Sequence, residues 1–186
     1  ALSGRGLEVV WIDDPVMLFF LHIQGSGRVK LNGGGQMCIG FAGKNGQPYG
    51  SLGKIMGDEN ILPKDQINFF TIRQWLYDNP DKAFAMMQRN PSYVFLKEQD
   101  KEGAVGAAGA VLTPLRSLAV DSAYIPYGLP LFLETELPPM PDQAPLPLNR
   151  LMIAQDTGGA IKGPVRGDIF FGAGDEAEYY AGYIKG

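Results

Sequence analysis

Two aspartates joined by a glycine-rich turn constrain this chain more than anything else in it. Residues 150–163 read RLMIAQDTGGAIKG and residues 166–172 read RGDIFFG, so Asp156 closes one apolar, strand-like run and Asp168 opens another. A third aspartate, Asp121, follows a short apolar run in SLAVDSAYIPYG, residues 117–128. A carboxyl flanked by Ile, Val and Phe is costly to ionise unless it is hydrogen-bonded or paired. Three such groups at strand ends imply a carboxylate cluster built on a sheet, which is a place for acid chemistry.

Composition narrows the rest. At 186 residues the chain holds one domain or two small ones, with enough length to bury a core. Hydrophobic residues at 45% against 19% charged describe a globular chain, and 25 glycines with 14 prolines favour turns and short strands over a helical bundle. A net charge of -4, with Lys and Arg scattered singly, excludes a nucleic-acid partner, because no basic stripe exists to neutralise phosphates. The apolar run at residues 15–21 is too short to span a bilayer, and no signal-peptide pattern is visible. The single cysteine, Cys38, is expected as a small buried filler, and with one histidine there are too few ligands for a structural zinc site.

Residues 6–23 read as two strands around the turn Asp13-Asp14-Pro15. A hairpin is expected at 29–31 and 37–41 around Asn32-Gly33-Gly34-Gly35, because Asn and Gly tolerate positive φ. Helices are predicted at 51–56, at 64–77, and from the Asn79-Pro80 cap to about Gln88, followed by a strand at 93–96. Residues 97–112, rich in Gly, Ala and charge, read as a crossover linker or exposed loop, with a domain boundary near them. Beyond it, strands are predicted at 118–120, 129–134, 150–155 and 168–171, and the proline-rich stretch 138–147 as a surface loop. Asp175 is expected to cap a last helix running to Ala181.

At the chemical level each candidate has two readings. Asp168, set before Ile169-Phe170-Phe171, is either an acid kept protonated by apolar surroundings or an ordinary strand-start aspartate bonded to backbone amides. Asp156 either caps its own glycine turn or tunes the acid as a second negative charge; Asp121 reads as structural. Lys162 is placed to neutralise a carboxylate or to bond sugar oxygens, with a solvated side chain as the plain alternative. Gln24-Gly25-Ser26-Gly27 offers an amide, a hydroxyl and open backbone, which suits a sugar groove and lacks the spacing of a phosphate loop. Tyr49, Tyr124 and Tyr127 are candidates for stacking on sugar rings, with rim packing as the default; His22 reads as a satisfied core histidine.

The three aspartate motifs resemble the "3D" domain. FLHIQGSGR at 20–28, FAGKNG at 41–46, SLGK at 51–54 and NPSYVFLK at 90–97 resemble the membrane-bound lytic transglycosylase A family. The resemblance implies a mainly β protein: a double-psi β-barrel carrying the aspartates, a second smaller β domain with a few helices, and a glycan groove between them. It places the smaller domain at residues 1–100 and the 3D domain at 101–186, with the N-terminal part of the barrel missing from this chain.

It further implies cleavage of the β-1,4 bond between N-acetylmuramic acid and N-acetylglucosamine in peptidoglycan, with formation of a 1,6-anhydro end. Asp168 would be the single acid and base, supported by Asp156 and Asp121. Gln24, Gly25, Ser26, Gly27, Lys44, Asn45, Tyr49 and Lys162 would contact the glycan, and neither a cofactor nor a metal is implied. Peptidoglycan strands, an outer-membrane lipid anchor on the full-length protein, other cell-wall enzymes and a periplasmic location follow from the same resemblance. Two rivals stand: a non-catalytic glycan-binding barrel, and an aspartic peptidase suggested by the Asp156-Thr157-Gly158 sequence.

Overall fold

The structure is a computed structural model that describes residues 4–100 and 103–184. Two compact units emerge, one of Ala1–Ile67 with Thr71–Ala104 and one of Asn68–Phe70 with Val105–Gly186. The fold is mainly β in plan, with a sheet at the base of each unit.

The first unit begins with a correction. The apolar run after Asp14 is a helix, α1 (Pro15–Gln24), rather than two strands. Asp14 is its N-cap, with Oδ1 accepting from the Val16 and Met17 amides at 2.9 and 3.0 Å. Pro15 supplies the first helical turn without an N–H to satisfy, and Gly25 at φ 75° closes the helix in the left-handed region. The sheet that follows is antiparallel, in the order β1 (Gly27–Lys30), β2 (Gln36–Lys44), β3 (Val94–Glu98), with the expected glycine-rich hairpin between β1 and β2.

Between β2 and β3 lie α2 (Leu52–Asp58), α3 (Phe69–Asp78) and α4 (Pro80–Met87). The single helix predicted over 64–77 is instead a 3-10 turn, Lys64–Gln66, then an extended Ile67, then α3. Asn68 makes the break, its side-chain oxygen accepting from the Phe70 amide at 2.9 Å as an N-cap does. Ile39, Met56 and Leu76 are the most enclosed side chains of this unit. Cys38, expected as buried filler, is only half-buried.

The second unit carries a four-stranded sheet in the order β5 (Pro130–Leu137), β6 (Leu146–Asp156), β4 (Ser117–Val120), β7 (Gly167–Ile169). β6 runs antiparallel to β5 and parallel to β4, while β7 runs antiparallel to β4. Such a mixed sheet is consistent with part of a double-psi barrel. Leu118, Val120, Met152 and Ala154 form its buried face, with Ile169 packed against them. Leu146 and Pro147, predicted as loop, belong to β6, where they pair with β5 alone, an edge setting that proline tolerates. The last helix, α5 (Asp175–Tyr183), is capped at Gly174 with no side-chain bond, so Asp175 lies in the first turn rather than capping it.

Candidate active site

Register brings the three aspartates to one side of the second unit's sheet. Leu118 and Val120 point into the core, so Ala119 between them faces the other way. Across the ladder Ala119 pairs with Asp156 on β6 and with Asp168 on β7. A bulge between the pairs Leu118↔Ala154 and Ala119↔Asp156 turns Asp156 to that face, since Ala154 is itself a core residue. Asp121, two residues beyond Ala119, extends the row. Two ladder spacings put the Asp156 and Asp168 backbones roughly 10 Å apart. The alanine between them keeps the floor low.

The carboxylates are held by different means. Asp121 is 7% exposed. Its Oδ1 accepts from the Ala123 amide at 3.1 Å and its Oδ2 from the Gly163 amide at 2.9 Å. Those bonds, first Gly163 and then Ala123, with Lys162 nearby, hold its pKa below the ordinary carboxylate value. Asp156 accepts from the Ala107 amide at 2.9 Å, so the donor comes from residues 105–111 and not from its own glycine turn. That segment, read in the sequence as linker, is a small bridged turn, Val105 pairing with Val111, and the Ala108 amide donates to the Gln155 carbonyl. A Cβ at Gly106 would lie 2.3 Å from that carbonyl oxygen, so only glycine allows the approach.

Asp168 departs from expectation. Its apolar sequence neighbour Ile169 packs on the core side, and strand alternation leaves the carboxyl on the open side, 44% exposed. Its partner is Arg166, whose Nε lies 2.6 Å from Oδ1 and whose second nitrogen lies 3.3 Å from Oδ2. The pair raises the arginine's pKa, through the Asp168 hydrogen bond first and its charge second. Lys162 is exposed on the loop that also presents Gly163 to Asp121.

The first unit's candidates lie at the end of α1, at the start of β1, at the end of β2 and in the loop after it. Gln24 ends α1, Gly25 caps it, and Ser26 leads to Gly27 at the start of β1. Lys44 ends β2 and is exposed. Asn45 is already committed: its Nδ2 donates to the Pro91 carbonyl at 2.9 Å, and its Oδ1 accepts from the Gln47 and Tyr93 amides. That side chain ties two loops together and has little left to offer a sugar. Tyr49 presents an exposed ring, its hydroxyl bonded to Ser51. Tyr124 and Tyr127 are exposed in the second unit. His22 donates from Nδ1 to the Val94 carbonyl at 2.6 Å, and burial pushes its pKa down.

Sequence reasoning passed over Ala119, Arg166 and the turn at 105–111. Arg166 had a signal in its i, i+2 spacing from Asp168, which puts both on one face of a strand. The other two depend on register and have none. Among the described residues no group of three His, Cys, Asp or Glu side chains could hold a metal ion, and no helix is long and apolar enough to cross a membrane.

Residues 116–186, which carry the mixed sheet and its three aspartates, match the family described as the 3D domain. Residues 1–97 match the family described as the MltA specific insert domain, and the chain belongs to the membrane-bound lytic murein transglycosylase A family. It is 31% identical over 198 residues to the membrane-bound lytic murein transglycosylase A of Vibrio cholerae, covering 100% of this chain and 51% of that protein. A crystal structure of a membrane-bound lytic murein transglycosylase from Agrobacterium tumefaciens matches with a TM-score of 0.88 at 40% identity, over 99% of this chain and 51% of that one. The E. coli MltA crystal structure with bound chitohexaose matches with a TM-score of 0.80 at 32% identity, over 91% and 51%. The chain thus spans about half the length of the curated relatives it matches.

Proposed function

We propose that this chain is the acid-bearing part of a lytic transglycosylase acting on the β-1,4 bond between N-acetylmuramic acid and N-acetylglucosamine in peptidoglycan. The observation that carries this is the register: Ala119 stands between Asp156 and Asp168, opposite the buried face of the sheet. Asp156 and Asp168 are both partly exposed, but Asp168 is held by an arginine side chain and not by a backbone amide, which leaves it the freer of the two to meet a substrate.

The chemistry needs one such group. The protonated Asp168 gives its proton to the glycosidic oxygen as the C1–O4 bond breaks, releasing the N-acetylglucosamine 4-hydroxyl. The muramic acid C6 hydroxyl attacks C1, forms the C1–O6 bond, and returns its proton to the Asp168 carboxylate. No water is consumed and the acid is regenerated. The tethered hydroxyl supplies the effective-molarity advantage that a bound water lacks, so no second carboxylate is required. Asp156 and Asp121 shape the site, and Lys162, Gln24, Gly25, Ser26, Gly27, Lys44 and Tyr49 are the proposed glycan contacts. The chitohexaose held by the E. coli relative supports a glycan ligand. A periplasmic location at the outer membrane, a lipid anchor and cell-wall enzyme partners rest on family resemblance, with "membrane-bound" in the relatives' names as support.

Mass spectrometry of the products released from purified peptidoglycan by a family-length protein carrying this chain tests the proposal. Muropeptides one water lighter than hydrolysis products are expected. Reducing ends would make it a hydrolase, and binding without release would favour a non-catalytic glycan-binding barrel.

A further inference from the structure

Asp121 and Asp156 accept hydrogen bonds from backbone amides, which cannot withdraw without unfolding a turn. Asp168 is held by a side chain that can leave. Arg166 follows Pro164 and Val165, and Val165 is 99% exposed, so the guanidinium comes off the outer tip of a loop. Gly167 between the pair packs against Leu118, a Cβ there meeting the leucine at 3.0 Å, which keeps β7 close to β4 and fixes both charged groups on the open face. The side chains of the pair are 42% and 44% exposed. An exposed ion pair is weak and opens at little cost. The same pair covered by a substrate, with water excluded, is far stronger.

From this geometry we infer that Arg166 is a releasable counter-ion for Asp168: it stands aside while the acid is protonated and engages the carboxylate as the proton leaves. The inference rests on Asp168 being the acid proposed above. Once the acid is protonated for turnover and the ion pair has opened, the charge on Asp168 returns only between proton delivery to the glycosidic oxygen and proton return from the C6 hydroxyl. A cation that meets it then acts in the transition state and not in the bound ground state, so its loss lowers kcat and leaves KM alone. Arg166 acts through Asp168 and is a positioning residue.

The test uses the family-length protein with a soluble glycan chain as substrate. Arg166→Ala is expected to lower kcat about 10- to 100-fold with KM within about twofold, the range of a charge-assisted hydrogen bond. Arg166→Lys, which keeps the charge but loses the fork, is expected to recover part of the loss, and Arg166→Gln little. Adding Arg166→Ala to Asp168→Asn should leave glycan binding at the level of Asp168→Asn alone, and a further loss of binding would make Arg166 a glycan contact. Should Arg166→Ala fail to fold, the Lys and Gln variants give the same kcat ordering. A raised KM at unchanged kcat would make Arg166 a glycan contact, and an unchanged kcat with equal losses of Tm in all three variants would make it structural; either overturns the inference while Asp168→Asn stays inactive. An active Asp168→Asn would instead overturn the assignment of the acid.

Discussion

Asp121 and Asp168 lie on neighbouring strands of one small sheet, the first just past the end of β4 and the second on β7, and they are held in opposite ways. Asp121, at the end of β4, is enclosed and fixed by two backbone amides, one from its own turn and one from Gly163 on the loop after β6. Asp168, on β7, is half-exposed and touched by one arginine side chain. A carboxylate bonded to main-chain donors belongs to the architecture, since moving it moves the chain. A carboxylate bonded to a mobile side chain can change partner and protonation during a reaction. Asp156 belongs with Asp121, held by the Ala107 amide. In the proposed reading Asp121 and Asp156 hold the site together and Asp168 alone reacts.

Apart from removal of the acid itself, the largest effect should come from loosening a fixed carboxylate. Asp121→Ala removes the anchor of the loop that carries Lys162 and leads to β7, and should lower product release roughly 10- to 100-fold through misplacement of the acid. Hydrogen exchange at the Gly163 amide should rise with it. Because the Asp121 pKa is depressed in the fold, its contribution is present above pH 3.8 and is lost as pH falls through the lower folded value. Gly163 protection should therefore weaken only in acid. Protection that fades on raising the pH would break the comparison.

Next comes the support of Asp156. Gly106→Ala drives a Cβ into the Gln155 carbonyl and should destabilise the unit by about 1–3 kcal/mol in denaturant melts. Ser117→Ala should cost a similar or smaller amount, about 1–3 kcal/mol. The Ser117 hydroxyl is fully buried, donating to Gln155 Oε1 at 2.6 Å and accepting from the Thr113 amide at 2.8 Å.

The smallest effect lies in the first unit and tests whether fixed carboxylates behave alike elsewhere. Asp14 caps α1 and also accepts from the Tyr77 hydroxyl at 2.6 Å. Burial pushes the Asp14 pKa up, but the Tyr77 bond, the Met17 and Val16 amides and Arg73 outweigh it and leave it low. The Tyr77 phenol, by burial first and by Asp14 second, is pushed up from 10.0 to about 12. A raised pKa means that its contribution is intact below pH 10 and fades between pH 10 and 12. Tyr77→Phe should abolish that alkaline loss, and Asp14→Ala should cost about 1 kcal/mol at neutral pH.

Much of this was legible in the sequence where local chemistry decides it. The Asn32–Gly35 turn, the Ser51 and Asn79 helix starts and the strands carrying the aspartates follow from residue type alone. The run after Asp14 reads as strand because an all-apolar stretch has no period, and the Asp14-Pro15 pair, which reads as a turn, is the helix cap in the structure. Asp168 was expected among its apolar sequence neighbours. On a strand those neighbours face away, and the partner is two residues back. The turn at 105–111 was invisible because its role is to meet Gln155 and Asp156, far along the chain.

The division between fixed and reactive carboxylates is tested most directly by comparing Asp168→Asn with Asp156→Asn in the same family-length protein, scoring glycan binding and release of 1,6-anhydro products together. The account predicts that Asp168→Asn keeps its fold and binds glycan but releases no anhydro product, whereas Asp156→Asn, whose side-chain oxygen can still accept from Ala107, retains measurable release. Release that persists in Asp168→Asn and disappears in Asp156→Asn would contradict it.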